Sequence, residues 1–142
     1  MKYLSYLLIL SLFFVQGCVG PPEYNDGLLE NTPAVINETD YFSLSIFGDK
    51  YTEKVEWDLL FNSNSTASLL TTLVTKDVSN STTDSTSLLL INELGDTVLN
   101  ALILNEIVFT SLDSLSSIGT PSKVVLKSDN FNGRIEYQII IN

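Results

Sequence analysis

The chain has 142 residues, of which 44% are hydrophobic, with 17 acidic and 7 basic side chains and a formal net charge of −10. That length suits one domain with its own core, while the acidity opposes contact with phosphate backbones and anionic headgroups, leaving no nucleic acid partner and no basic membrane patch. There is no histidine and only one cysteine, which removes the commonest general base, the commonest metal ligand and any intrachain disulfide.

Met1 and Lys2 give a positive start, Leu4 to Val15 an apolar run, and small Gly17 stands before Cys18. This is the layout of a secretory signal peptide over residues 1–17. The run is shorter than the roughly 18 apolar residues of a membrane span, and Pro21-Pro22 breaks it. The junction Val15-Gln16-Gly17-Cys18 resembles the bacterial lipoprotein lipobox. The resemblance implies cleavage between Gly17 and Cys18, a diacylglyceryl group on the Cys18 sulfur whose acyl chains, such as palmitate, enter the membrane and, in many bacteria, N-acylation. The membrane is then a partner through those chains: each buried CH₂ contributes ~0.8 kcal/mol, and stable anchoring takes two or more chains. Val19 after Cys18 implies, by the family's sorting pattern, the outer membrane or cell surface of a bacterial envelope.

Residues 18–40 read as the lipidated cysteine and a tether. They hold three of the four prolines and keep no steady period, and a flexible coil of that length spans roughly 25 Å. Ala34-Val35-Ile36 is the one part that could pack, as an irregular first strand. The domain is expected over 41–142. Phe42, Leu44 and Ile46 alternate with serines, and Val55, Trp57, Leu59 and Phe61 alternate with Lys54, Glu56 and Asp58, the period of half-buried strands. Ala67 to Lys76 reads as a third strand and Asp77 to Ser85 as a polar turn.

In Thr86 to Asn92, the run Leu88-Leu89-Leu90-Ile91 suits a strand covered on both faces. Glu93-Leu94-Gly95-Asp96 then turns the chain back through Thr97 to Leu104. Thr97 to Leu115 also satisfies a helical spacing, but its Ser, Thr, Asn and Val favour strands. After the break at Gly119-Thr120-Pro121, Ser122 to Ser128 is expected to pair with Arg134 to Ile141 in a hairpin, because Asn132-Gly133 is a strong turn signal. In the last strand Ile135, Tyr137, Ile139 and Ile141 point inward.

About eight short strands at near-regular spacing predict an all-β fold, an antiparallel jelly-roll-like β-sandwich. The order LLLI-N-x-x-G-x-x-V, then PSKVVLKSDNFNGRIEYQIII, resembles the bacterial pre-peptidase C-terminal domain across Tyr41 to Asn142, with Ser85-Thr86-Ser87 where that family has Asp-Leu-Asp. The resemblance implies an exported sandwich that accompanies other proteins.

No cofactor is expected. Asp77, Asn80 and Asp84, or Asp129, Asn130 and Asn132, are weak calcium candidates; they lack the EF-hand spacing, and Asn and Asp populate turns for local reasons. Glu56 and Asp58 lie on one strand face about 7 Å apart and form the one carboxylate pair suited to glycoside cleavage. Serine lacks a G-x-S-x-G elbow. Trp57 and Tyr137 read as core, whereas Tyr24, Tyr41 and Tyr51 are candidates for stacking on sugar rings. Sequons at Asn37, Asn64 and Asn80 occur at the rate chance allows. The reading is a non-enzymatic, membrane-anchored envelope, adhesion or accessory module whose protein or glycan partner is unknown; the alternative is a carbohydrate- or calcium-binding module.

Overall fold

Strict alternation of apolar and polar side chains builds two sheets that close on each other. In this computed structural model, which describes residues 27–62, 66–79 and 85–142, strand β2 (Tyr41–Tyr51) buries Phe42, Leu44 and Ile46 and leaves the serines between them half exposed. Strands β4 (Ser68–Lys76), β5 (Thr86–Asn92) and β9 (Phe131–Ile141) alternate in the same way. The other described strands are β1 (Ala34–Asn37), β3 (Lys54–Asp58), β6 (Thr97–Ile103), β7 (Val108–Ser114) and β8 (Pro121–Lys127), and α1 (Leu115–Ile118) is a single helical turn.

The larger sheet has the order β1-β2-β9-β4-β7 and the smaller one β3-β8-β5-β6, with every strand pair antiparallel. The expected all-β sandwich is therefore present. From β2 onward the order is that of a jelly roll, with β1 added at one edge. Only β1–β2 and β5–β6 are hairpins; every other connection passes from one sheet to the other.

Phe42, Leu44, Ile46, Leu69, Leu73 and Ile139 of the larger sheet meet Leu88, Leu90, Ile103, Val124 and Leu126 of the smaller one in the core. Each such side chain stabilises the fold by about 1.5–3 kcal/mol on full burial. Phe42 is central: its ring lies 6.3 Å from Trp57 and 6.4 Å, edge-on, from Tyr137. The inward assignment of Trp57 and Tyr137 thus agrees with the structure, Tyr137 being fully buried and Trp57 partly so.

Three local expectations change. Ser122 to Ser128 does not form a hairpin with Arg134 to Ile141: β8 pairs with β3 and β5, whereas β9 pairs with β2 and β4. The link between them is an arch, held where Ser128 Oγ accepts from the Glu53 amide at 3.0 Å and Thr52 Oγ1 accepts from the Asn130 amide at 2.7 Å. Asn132-Gly133 lies within β9. Gly133 has φ 137° and stands opposite Gly48, and a Cβ there would sit 2.9 Å from the Lys76 carbonyl oxygen. The glycine serves close backbone approach rather than a turn.

The second change concerns β5. Leu88 and Leu90 are buried, but Leu89 and Ile91 are half exposed, because no layer covers the outer face of the smaller sheet among the described residues. The third concerns the segment read as tether: Ala34-Val35-Ile36 forms a first strand as expected, but a regular one, with β1 paired to β2 from Ala34↔Ser45 to Asn37↔Phe42. Further back, Asn31 exchanges side-chain hydrogen bonds with the Asp49 backbone, both at 2.9 Å.

Candidate functional site

Cys18 and Gly17 lie outside the described residues, as do Tyr24, Asn64, Asn80 and Asp84. Of the first calcium candidate only Asp77 is described. It takes a left-handed φ of 54°, its amide donates to Glu106 Oε1 at 3.1 Å, and its carboxylate lies 3.8 Å from Arg134 Nε. A guanidinium thus stands beside that carboxylate. In the second candidate, Asn132 Oδ1 already accepts from the Lys50 amide at 3.0 Å, and Asn132 Nδ2 donates to the Asn130 carbonyl at 2.9 Å. These amides tie the arch to β2. Among the described residues no group of three or more His, Cys, Asp or Glu is placed to share a metal ion.

The Glu56–Asp58 pair sits on the outer face of the smaller sheet, as its alternation predicts, next to lysines that the sequence reading did not connect to it. Lys54 Nζ lies 2.7 Å from Glu56 Oε1, and Lys123 Nζ lies 3.0 Å from Glu56 Oε2 and 3.8 Å from Asp58. Hydrogen bonds from Lys54 and Lys123, with the charge of both, hold the Glu56 carboxyl down at about 2. The hydrogen bond and charge of Glu56 push Lys123 up in turn. Of the two carboxyls a glycosidase uses, one protonated and one ionised, Glu56 suits only the ionised role; with Lys54, Lys123 and Asp58 it forms a charge ladder across β3 and β8.

The three tyrosines offered for stacking separate. Tyr51, expected at the surface, is buried. A register shift between Gly48 and Tyr51 turns it inward opposite Phe131. Its hydroxyl donates to Glu53 Oε2 at 3.3 Å, and burial first, then Glu53, pushes its pKa up to about 12. Tyr41 is half buried on the outer face of the larger sheet. The register sets it in one row with Ile140, Leu70 and Leu112 across β2, β9, β4 and β7. The next row is Ser43, Gln138, Thr72 and Thr110, and the third is Ser45, Glu136, Val74 and Val108. The fourth row is Phe47, Arg134 and Lys76, so with Glu136 the charges gather toward that end of the face, while apolar side chains line its β7 side.

A shallow depression of about 280 Å³ opens between the β5–β6 turn and α1, lined by Asn92, Asp96, Thr97, Val98, Ser117 and Ile118. Asn92 organises it. Its Nδ2 donates to the Ile118 carbonyl at 2.8 Å, and its Oδ1 accepts from the amides of Leu94 at 3.0 Å and Asp96 at 2.9 Å. The amide is spent on holding the turn against α1, so the depression offers a ligand one carboxylate and two hydroxyls. Nothing in the sequence marked Asn92 as a hub, since the residue also suits a strand end.

Asn37, a sequon asparagine, is engaged as well. Its Nδ2 donates to the Asp58 carbonyl at 2.8 Å and its Oδ1 accepts from the Leu60 amide at 3.2 Å, fastening β1 to the end of β3. Comparison with known protein families and with curated proteins finds no match to this chain.

Proposed function

We propose that the chain is an exported lipoprotein, held to a bacterial envelope membrane by acyl chains on Cys18, whose sandwich is a non-catalytic envelope, adhesion or accessory module. The observation that carries this reading is the sole cysteine standing directly after an apolar run and Gly17. The described sandwich supports it in two ways. Lys54 and Lys123 hold the Glu56 carboxylate ionised on an exposed strand face, as an ordinary surface ion pair does. The jelly-roll order supports the resemblance to pre-peptidase C-terminal domains at the level of fold.

The test is Cys18→Ala in the native host. The reading expects the parent chain in the membrane fraction and the variant in the soluble one; a variant that stays with the membrane would refute it.

Carbohydrate binding is the second reading, favoured by the half-buried Tyr41 on the outer face of the larger sheet, one row from Ser43, Gln138 and Thr72. A glycan array with the parent chain and Tyr41→Ala tests it: selective binding that the substitution abolishes supports it, and an array without signal contradicts it.

A further inference from the structure

Among the described residues the sandwich has four edge strands, β1, β7, β3 and β6, and three of them carry devices that blunt an edge. β1 is only four residues long and follows Pro33. β3 carries Lys54, Glu56 and Asp58 in alternation. β6 is bent by a register shift against β5 between Leu90 and Ile91.

The fourth edge, β7, is seven residues long with no proline and no register shift, and its one charged side chain, Asp113, lies on the inner face rather than along the exposed row. Its sequence is VFTSLDS, its pairing with β4 is unbroken from Ser68↔Ser114 to Val74↔Val108, and its outer-face side chains Val108 and Leu112 are 83% and 70% exposed. Among the described residues no strand lies beyond it.

The polar backbone groups that face outward can be assigned. The Ile107 carbonyl accepts from Thr75 in β4, and the Leu115 amide donates to Ala67 just before β4. Direction alternates along an antiparallel strand. The odd-numbered residues therefore face β4, and the amides and carbonyls of Val108, Thr110, Leu112 and Ser114 face the free edge.

The pattern of that edge is symmetric about Thr110. A second β7 laid antiparallel with Thr110 opposite its own copy sets Val108 opposite Leu112 of the other chain, twice, and brings no two charged side chains directly opposite. Val108, Thr110 and Leu112, three of the four residues whose backbone groups point outward, would pair with Leu112, Thr110 and Val108 of the other copy, giving about six main-chain hydrogen bonds. Two exposed apolar side chains on each chain gain cross-strand partners, and the apolar row Tyr41–Ile140–Leu70–Leu112 continues into Val108 and Val74 of the second copy. A symmetric interface of this kind is isologous and closes at two chains.

From this juxtaposition we propose that the β7 edge is a self-association surface, where two copies join their five-stranded sheets into one of ten across a two-fold axis at Thr110. The inference is independent of the membrane anchor. One strand pair buries less than the ~1,200 Å² of a standard interface, so the dimer is concentration dependent.

Sedimentation equilibrium on the purified full chain tests it, with Thr110→Lys and Leu112→Lys as edge variants and Thr97→Lys, exposed on β6, as control. Circular dichroism and melting show that each variant is folded. The expected result is a reversible monomer–dimer equilibrium, unchanged in Thr97→Lys and weakened at least ~tenfold in both edge variants, since Thr110→Lys sets like charges opposite each other. A parent chain that stays monomeric at high micromolar concentration overturns the proposal. So does a dimer that folded Thr110→Lys and Leu112→Lys leave unchanged, because its interface then lies elsewhere.

Discussion

At Gly133 the backbone takes a φ that L side chains rarely adopt, with the Lys76 and Asp77 carbonyl oxygens and Val78 Cα within about 3 Å of where a Cβ would stand. Gly133→Ala meets both conformational strain and backbone contact, neither of which a side-chain rotation relieves. The expected loss is about 2–3 kcal/mol in urea unfolding. Asn92 presents a different economy, in which one buried amide satisfies two turn amides and the last carbonyl region of α1. Asn92→Ala leaves those groups short of partners and is expected to lower stability by about 2–3 kcal/mol. Amide exchange at Leu94 and Asp96 should speed up together; unchanged exchange there would contradict the hub. Tyr137 is the reverse case. Its hydroxyl is buried with no hydrogen-bond partner among the described residues, and burial drives its pKa far upward. Tyr137→Phe removes an unsatisfied group at almost no cost in shape, so thermal unfolding should show equal or higher stability.

At the scale of elements, the β3–β8 ladder ties strand pairing to pH. Glu56 is held at about 2 against an ordinary 4.5, so on acidification the unfolded chain takes up its proton first. The stability this carboxylate contributes is complete above about 4.5 and is lost as pH falls toward about 2. Glu56→Gln should therefore show a shallower fall in stability across that window than the parent. Because the groups are exposed, added salt should narrow the difference. An unchanged acid slope in the variant would show that the ladder contributes nothing.

The same elements show what one sequence can convey. Alternation marks which side of β2, β5 and β9 faces the core, because burial of one face sets the side-chain period. It does not mark which strand lies alongside. Ser122 to Ser128 and Arg134 to Ile141 each alternate well enough to be partners, and Asn132-Gly133 supplies a turn signal between them. The jelly roll nevertheless sends them to opposite sheets, because outside the β1–β2 and β5–β6 hairpins each described connection crosses from one sheet to the other. Lys54 shares a strand face with Glu56 and is legible in the alternation, whereas Lys123 was hidden for the same reason: it reaches Glu56 only through the β3–β8 register. Tyr51 was misplaced because a register shift inverts the face, and β1 was nearly missed because an edge strand of four residues carries little pattern.

For the whole molecule, the sequence carries an apolar run that ends shortly before its only cysteine, ahead of an acidic sandwich. The negative charge opposes contact with anionic headgroups, so in the proposed reading the attachment rests on acyl chains at Cys18 alone. Intact mass spectrometry of the protein purified from its native host tests this most directly. The account predicts a chain that begins at Cys18 and carries the added mass of a diacylglyceryl group on that residue. A product with an unmodified Cys18 thiol, or one that retains residues 1–17, would contradict it.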